Sequence, residues 1–182
     1  MRTFSQIKFN KIIVPVLVMA VVAVPALVQS QDVANGSATA TILAALQVTG
    51  GTLAFGNVYQ GVAKSIANNN AAAGVFTITG AGLAVISLYM QLPEYLQGPS
   101  NDRMVIAFST TDASVDSTGN VDPTAFGTGW QNTNPHAFPA TTSIGGGGTA
   151  AIFLGGKVVP SVNQTAGAYS GDIVLTVSYT GV

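Results

Sequence analysis

The chain has no cysteine in its 182 residues. No disulfide can staple it, and thiolate or Cys-ligated metal chemistry is excluded. Histidine is almost as scarce: His136 is the only one, in a loop between Pro135 and Pro139. A Ser–His–Asp enzyme needs only one histidine, but no Gly-x-Ser-x-Gly elbow accompanies it. Zinc needs several His or acidic ligands close together, and the sequence spaces none that way. Charge is also sparse, at six Lys+Arg and seven Asp+Glu. No basic cluster exists to hold nucleic acid or an anionic lipid surface.

The longest apolar run is Ile12 to Val28, interrupted by Pro15 and Pro25 and preceded by Arg2, Lys8 and Lys11. Its 17 residues lie at the bottom of the membrane-spanning range, and no stop-transfer charges follow. A basic lead, an apolar stretch and the compact exit Val28-Gln29-Ser30 describe a secretory signal peptide over residues 1–30. Cleavage is expected after Ser30, with Ala26 as the alternative site; the Ser30 cut leaves 152 residues, 31–182, as one domain with no stable membrane anchor. That product carries Lys64, Arg103 and Lys157 against seven acids, a net charge of −4. The expected location is secreted or extracytoplasmic, at a cell surface or in a periplasm.

What the chain does have is alternation. Ala38, Ala40, Ile42, Ala44, Leu46 and Val48 predict a long first strand, and Leu53 and Phe55 a second. Strands follow around 74–80 and 83–92, the latter presenting Ala84, Ile86, Leu88, Met90 and Leu92 on one face and ending at Pro93. Met104, Ile106 and Phe108 mark another. Residues 109–148 turn polar, with Gly145–Gly148 as a flexible bridge. Ala150–Leu154 resumes the sheet, Gly155-Gly156 fits a tight hairpin, and Pro160 suggests that the returning strand is an edge. Finally Gly167–Asp172 forms a turn, and Ile173, Leu175, Val177 and Tyr179 alternate in a closing strand. Burying those four side chains is worth roughly 6–12 kcal/mol, against a typical whole-domain stability of about 5–15. The expectation is an all-β, Ig-like or pilin-like antiparallel sandwich of about seven to nine strands.

Candidate chemistry is thin. Asp112, Asp116 and Asp122 lie in a Ser/Thr/Gly/Asn-rich stretch where loop carboxylates can bind Ca²⁺, but they do not match an EF-hand and read as solvated acids. Glu94 and Asp102 would make a glycosidase pair only if folding placed them about 5–9.5 Å apart. Trp130, Tyr59, Tyr89 and Tyr95 offer rings for sugar stacking, set against ordinary packing. Asn35-Gly36-Ser37 and Asn163-Gln164-Thr165 fit the glycosylation pattern, which arises easily in so Asn- and Thr-rich a chain. No catalytic residue, metal site or cofactor is assigned.

Three blocks carry a resemblance. They are Ala38–Ile42 with Leu46–Thr49 and Leu53–Val58; Phe76–Gly80 with Ile86–Leu88; and Phe153–Val158 with Gly167–Gly171 and Leu175–Tyr179. Together they resemble the bacterial secreted domain of unknown function 4402 family, with pilin-like character. The resemblance implies an extracytoplasmic Ig-like sandwich without established catalysis. It extends to fimbrial subunits, which polymerise by strand addition after handling by a periplasmic chaperone. In that picture Ala40, Ile42, Ala44, Leu46 and Val48 dock into a groove bordered by Ile173, Leu175, Val177 and Tyr179. The chain departs from it in lacking a cysteine pair and in having only about seven residues, 31–37, ahead of the first strand. The expected role is therefore structural or adhesive and non-enzymatic, with a carbohydrate-binding module or a self-complete monomer as alternatives.

Overall fold

The computed structural model describes residues 34–180, apart from 126 and 128. The signal segment lies outside the described residues. The chain divides into two units at Ala40 and Thr41. In the first, residues 34–40 are exposed and carry no regular structure. The second is all-β and antiparallel in every pairing.

Its centre is β10 (Thr149–Leu154), which pairs with β3 (Gly74–Thr79) on one side and β7 (Ala113–Asp116) on the other. The edges of this five-stranded sheet are β1 (Gln47–Thr49) beside β3 and β8 (Trp130–Thr133) beside β7. A second sheet orders β2 (Lys64–Ile66), β11 (Gly156–Val159), β6 (Arg103–Ala107) and β5 (Tyr95–Gln97). A third orders β12 (Val174–Tyr179), β4 (Val85–Gln91) and β9 (Thr142–Ser143).

Alternation explains how the first and third sheets meet. Phe76 and Ile78 of β3, Ala113 and Val115 of β7, and Ala150, Ile152 and Leu154 of β10 share one face. They cluster with Ile86 and Met90 of β4. Leu175, Val177 and Tyr179 of β12 pack on the same cluster, half-buried, as does Ile173 just before the strand. A second cluster joins Ile66, Leu96, Met104, Ile106 and Val158 of the second sheet to Phe55. Phe108 touches both clusters.

Several sequence expectations are corrected here. The described strands number twelve rather than seven to nine. The long first strand shrinks to Gln47–Thr49, because the residues before it find no neighbouring strand: Ile42 is 96% exposed. Residues 53–55 form no ladder, and Ala54 N–H reaches only the Ala72 carbonyl, at 3.0 Å. Gly155-Gly156 is no hairpin, since β10 and β11 belong to different sheets. At Gly155 the chain passes so close to the Ile66 carbonyl that a Cβ there would collide with it. Nor is β11 an edge, for it lies between β2 and β6. Pro160 falls one residue past the strand's end at Val159, where its missing N–H interrupts nothing. Gly145–Gly148 is a tight turn rather than a flexible bridge, held by Gly145 N–H to Thr149 O at 3.1 Å and Gly148 N–H to Gly145 O at 2.8 Å. Gly148 sits there at φ +79°, where glycine is favoured.

β10 is buried on both faces. Ala151 and Phe153, opposite the main core, are as inaccessible as Ile152. The Trp130 ring stacks on Phe153 with centroids 4.6 Å apart. Ile152→Ala is expected to destabilise the domain by about 2–5 kcal/mol in urea denaturation. Val159→Ala, at a side chain 42% exposed, should change stability by no more than about 0.5.

Candidate functional site

Two structural features deserve the name of candidate site: the margin around β12 and a polar clamp beneath the turn that leads into it. β12 pairs with β4 over six residues, from Val174 opposite Gln91 to Tyr179 opposite Ile86. It is the outer strand of its sheet, so one row of its backbone donors and acceptors has no strand partner among the described residues. Val174–Tyr179 contains no charge and no proline, the usual guards of an exposed edge.

The proposed interface residues separate into two groups. Ile173, Leu175, Val177 and Tyr179 do share a face, and it is turned into the domain's own core. Leu46 is half-buried against that same core, and Val48, 40% exposed, pairs with Ile78. The Tyr179 hydroxyl donates to the Ala44 carbonyl at 2.6 Å and accepts the Ala81 N–H at 2.7 Å. Ala44 to Val48 is thereby tied to its own domain. Ile42 is exposed, as is Ala40 within the first unit. The structure thus packs five of the nine residues, Leu46, Ile173, Leu175, Val177 and Tyr179, on one core, ties Ala44 and Val48 to the same unit through backbone contacts, and leaves Ile42 bare.

The clamp was not foreseen. Asp102 follows the short 3₁₀ turn Pro99–Asn101 and leads into β6. Its Oδ2 accepts from Tyr169 Oη, Gln164 Nε2 and the Thr165 N–H, each at 2.8 Å. Its Oδ1 accepts the Arg103 N–H at 2.8 Å. Gln164, buried, also accepts the Ser161 N–H on Oε1 at 3.1 Å. The Tyr169 ring lies on the backbone of Gly98, where a Cβ would collide with it. The Thr165 N–H and the Tyr169 hydroxyl, with lesser help from Thr165's side chain and Arg103 N–H, hold the Asp102 carboxyl well below the ordinary carboxylate range. Partial burial pushes the Tyr169 phenol up, with the Asp102 charge adding to it. Beside the clamp, a cleft of about 1050 Å³ runs between residues 51–60 and 164–173 over Leu96, Met104 and Ile106. The clamp fixes one wall of that cleft. Only the Gly167–Gly171 turn was conspicuous in the sequence. Nothing in local spacing links Asp102 to partners more than sixty residues away.

The remaining candidates scatter. Asp102 serves the clamp, while Glu94 is exposed and its carbonyl accepts the Ile106 N–H at 3.2 Å. His136 Nε2 lies 3.2 Å from the Phe108 carbonyl, its ring edge-on to Phe108. Trp130 stacks on buried Phe153, so one indole face is used in packing. Tyr59 and Tyr89 are exposed, and Tyr95 lies under the Arg103 guanidinium at 5.8 Å. Asp112 Oδ2 caps the Ser109 N–H, and Asp122 Oδ1 takes both the N–H and hydroxyl of Thr124, lowering its pKa. Among the described residues, no three His, Cys, Asp or Glu side chains come together as a metal cluster. No helix among them is long and apolar enough to cross a membrane.

Comparison with known proteins adds little. No protein-family model matches the chain, and no curated protein matches it. One solved structure, a family 123 glycoside hydrolase from Clostridium perfringens described for glycolipid glycan hydrolysis, is similar over 73% of this chain and 24% of its own. Identity there is 13% and the TM-score 0.35, too low to support any inference. The chain spans about a quarter of that enzyme's length.

Asp102, with its folded pKa depressed, stabilises the domain above the ordinary carboxylate range, near about 3.9. That contribution should fade as the pH falls below about 5 toward 2. Urea midpoints measured across this range should fall for the native chain and fall less for Asp102→Asn, which should start lower at pH 7.

Proposed function

We propose that the chain is a secreted, non-enzymatic structural or adhesive module with Ig-like or pilin-like sandwich character, folding as a self-complete unit. The observation that carries this reading is the anchoring of Ala44–Thr49 to its own domain. Tyr179 holds the Ala44 carbonyl, Leu46 packs on the core, and Val48 takes its place opposite Ile78. A domain whose groove waits for a neighbour's strand would leave that segment free. The signal-like leader supports an extracytoplasmic setting, and in a chain without cysteine the core and the sheet ladder supply the stability.

A second reading has its own observation. Ile42 is 96% exposed and continues the alternation of Ala38 and Ala40, while β12 presents an uncharged open edge. Strand addition between copies, with or without a chaperone, would use that short segment rather than the whole of 38–48. Sedimentation of the mature chain, with electron microscopy of surface material, separates the two. A stable monomer whose fold and sedimentation survive deletion of residues 31–43 supports the self-complete module. Filaments with a heat-sensitive ladder on gels, lost in Ile42→Asp, would establish strand addition instead.

A further inference from the structure

The polar segment 109–148 hides a fully buried strand. β7 carries Ala113 and Val115 into the main core. Its other face carries Ser114 and Asp116, and both are completely inaccessible. β8 lies beside them, with Asn132 opposite Ser114 and Trp130 opposite Asp116. β10 flanks the other side, with Phe153 opposite Ser114 and Ala151 opposite Asp116.

A buried carboxylate requires partners for both oxygens, or a cation. Asp116 Oδ1 has them: the N–H and the hydroxyl of Thr118, both at 2.7 Å. Oδ2 is enclosed and has no hydrogen-bond partner among the described residues. The hydroxyl of Ser114, two positions back on the same strand face, is enclosed and unpartnered too. Gly127 borders Oδ2 closely enough that even a Cβ there would stand 3.7 Å away. Among the described residues the Lys and Arg side chains, Lys64, Arg103 and Lys157, belong to strands of the second sheet. Asp116 belongs to the first.

We propose that Asp116 Oδ2 and Ser114 Oγ are protein ligands of a calcium-class cation. Two oxygen donors, one anionic and one neutral, suit a hard cation. Ca²⁺ tolerates irregular coordination and completes its shell with backbone carbonyls and water, whereas Mg²⁺ demands a near-ideal octahedron. With a single carboxylate, the affinity belongs to the weak class of about 10⁻⁴–10⁻³ M found in extracellular modules. This site is not the acidic trio suggested by Asp112, Asp116 and Asp122. Only Asp116 is used, and it is buried rather than solvated.

The test uses Tb³⁺ as a Ca²⁺ probe on the mature chain. Trp130 is the only tryptophan and sits directly across the ladder from Asp116, so it is the natural antenna for sensitised emission. Saturable emission displaced by millimolar Ca²⁺, with a higher melting temperature in Ca²⁺ than in EDTA, is the expected result. Asp116→Asn should abolish both responses, Ser114→Ala should weaken apparent affinity roughly tenfold, and Asp112→Asn should change neither. If Asp116→Asn does not fold, Ser114→Ala decides. Absence of sensitised emission, emission that Ser114→Ala leaves unchanged, or equal melting temperatures in Ca²⁺ and EDTA would overturn the proposal.

Discussion

Burial of β10 on both faces is the constraint on which the rest of the second unit depends. A strand with one wet face needs one covering layer; Thr149–Leu154 needs two. Ala150, Ile152 and Leu154 are met by the third sheet's Ile86 and Met90. Ala151 and Phe153 must be covered by something else, and that cover includes Trp130 from β8. β7 and β8 are therefore needed inside a segment whose composition looks like loop. Leaving β10, the chain must also change sheets at once. Gly155 makes that possible because only a residue without Cβ fits against the Ile66 carbonyl.

The same constraint creates the chemical tension in the fold. β7 is buried on both faces, so whatever side chain it carries is desolvated. Ser114 and Asp116 are carried there. Elsewhere the protein handles its acids differently: Asp102 is surrounded by donors from a distant loop, and Asp112 and Asp122 cap their own turns. The contrast between a carboxylate with every acceptor used and one with an idle buried oxygen separates structural acids from a candidate ligand.

The β12 face was legible from sequence. Ile173, Leu175, Val177 and Tyr179 alternate in a stretch without competing signals, and they face the core. The same periodicity misled at residues 38–46, because alternation specifies a face but supplies no neighbour. β7 was missed for the opposite reason. Ala-Ser-Val-Asp has the polarity of a half-exposed strand, and only its position in the ladder buries all four residues. The Asp102 clamp was illegible because its members come from two separate stretches, joined by a fold rather than by spacing.

The class of this protein is written in its residues: antiparallel β, without disulfides, with a final alternating strand whose apolar face turns inward. These are consequences of composition and a period of two, which act locally. Long-range packing chose which strands are neighbours, made Gly155 a joint between two sheets instead of a hairpin, and left Asp116 enclosed and Ile42 bare. Burial is a property of what lies opposite, and what lies opposite is chosen by residues far away in the chain.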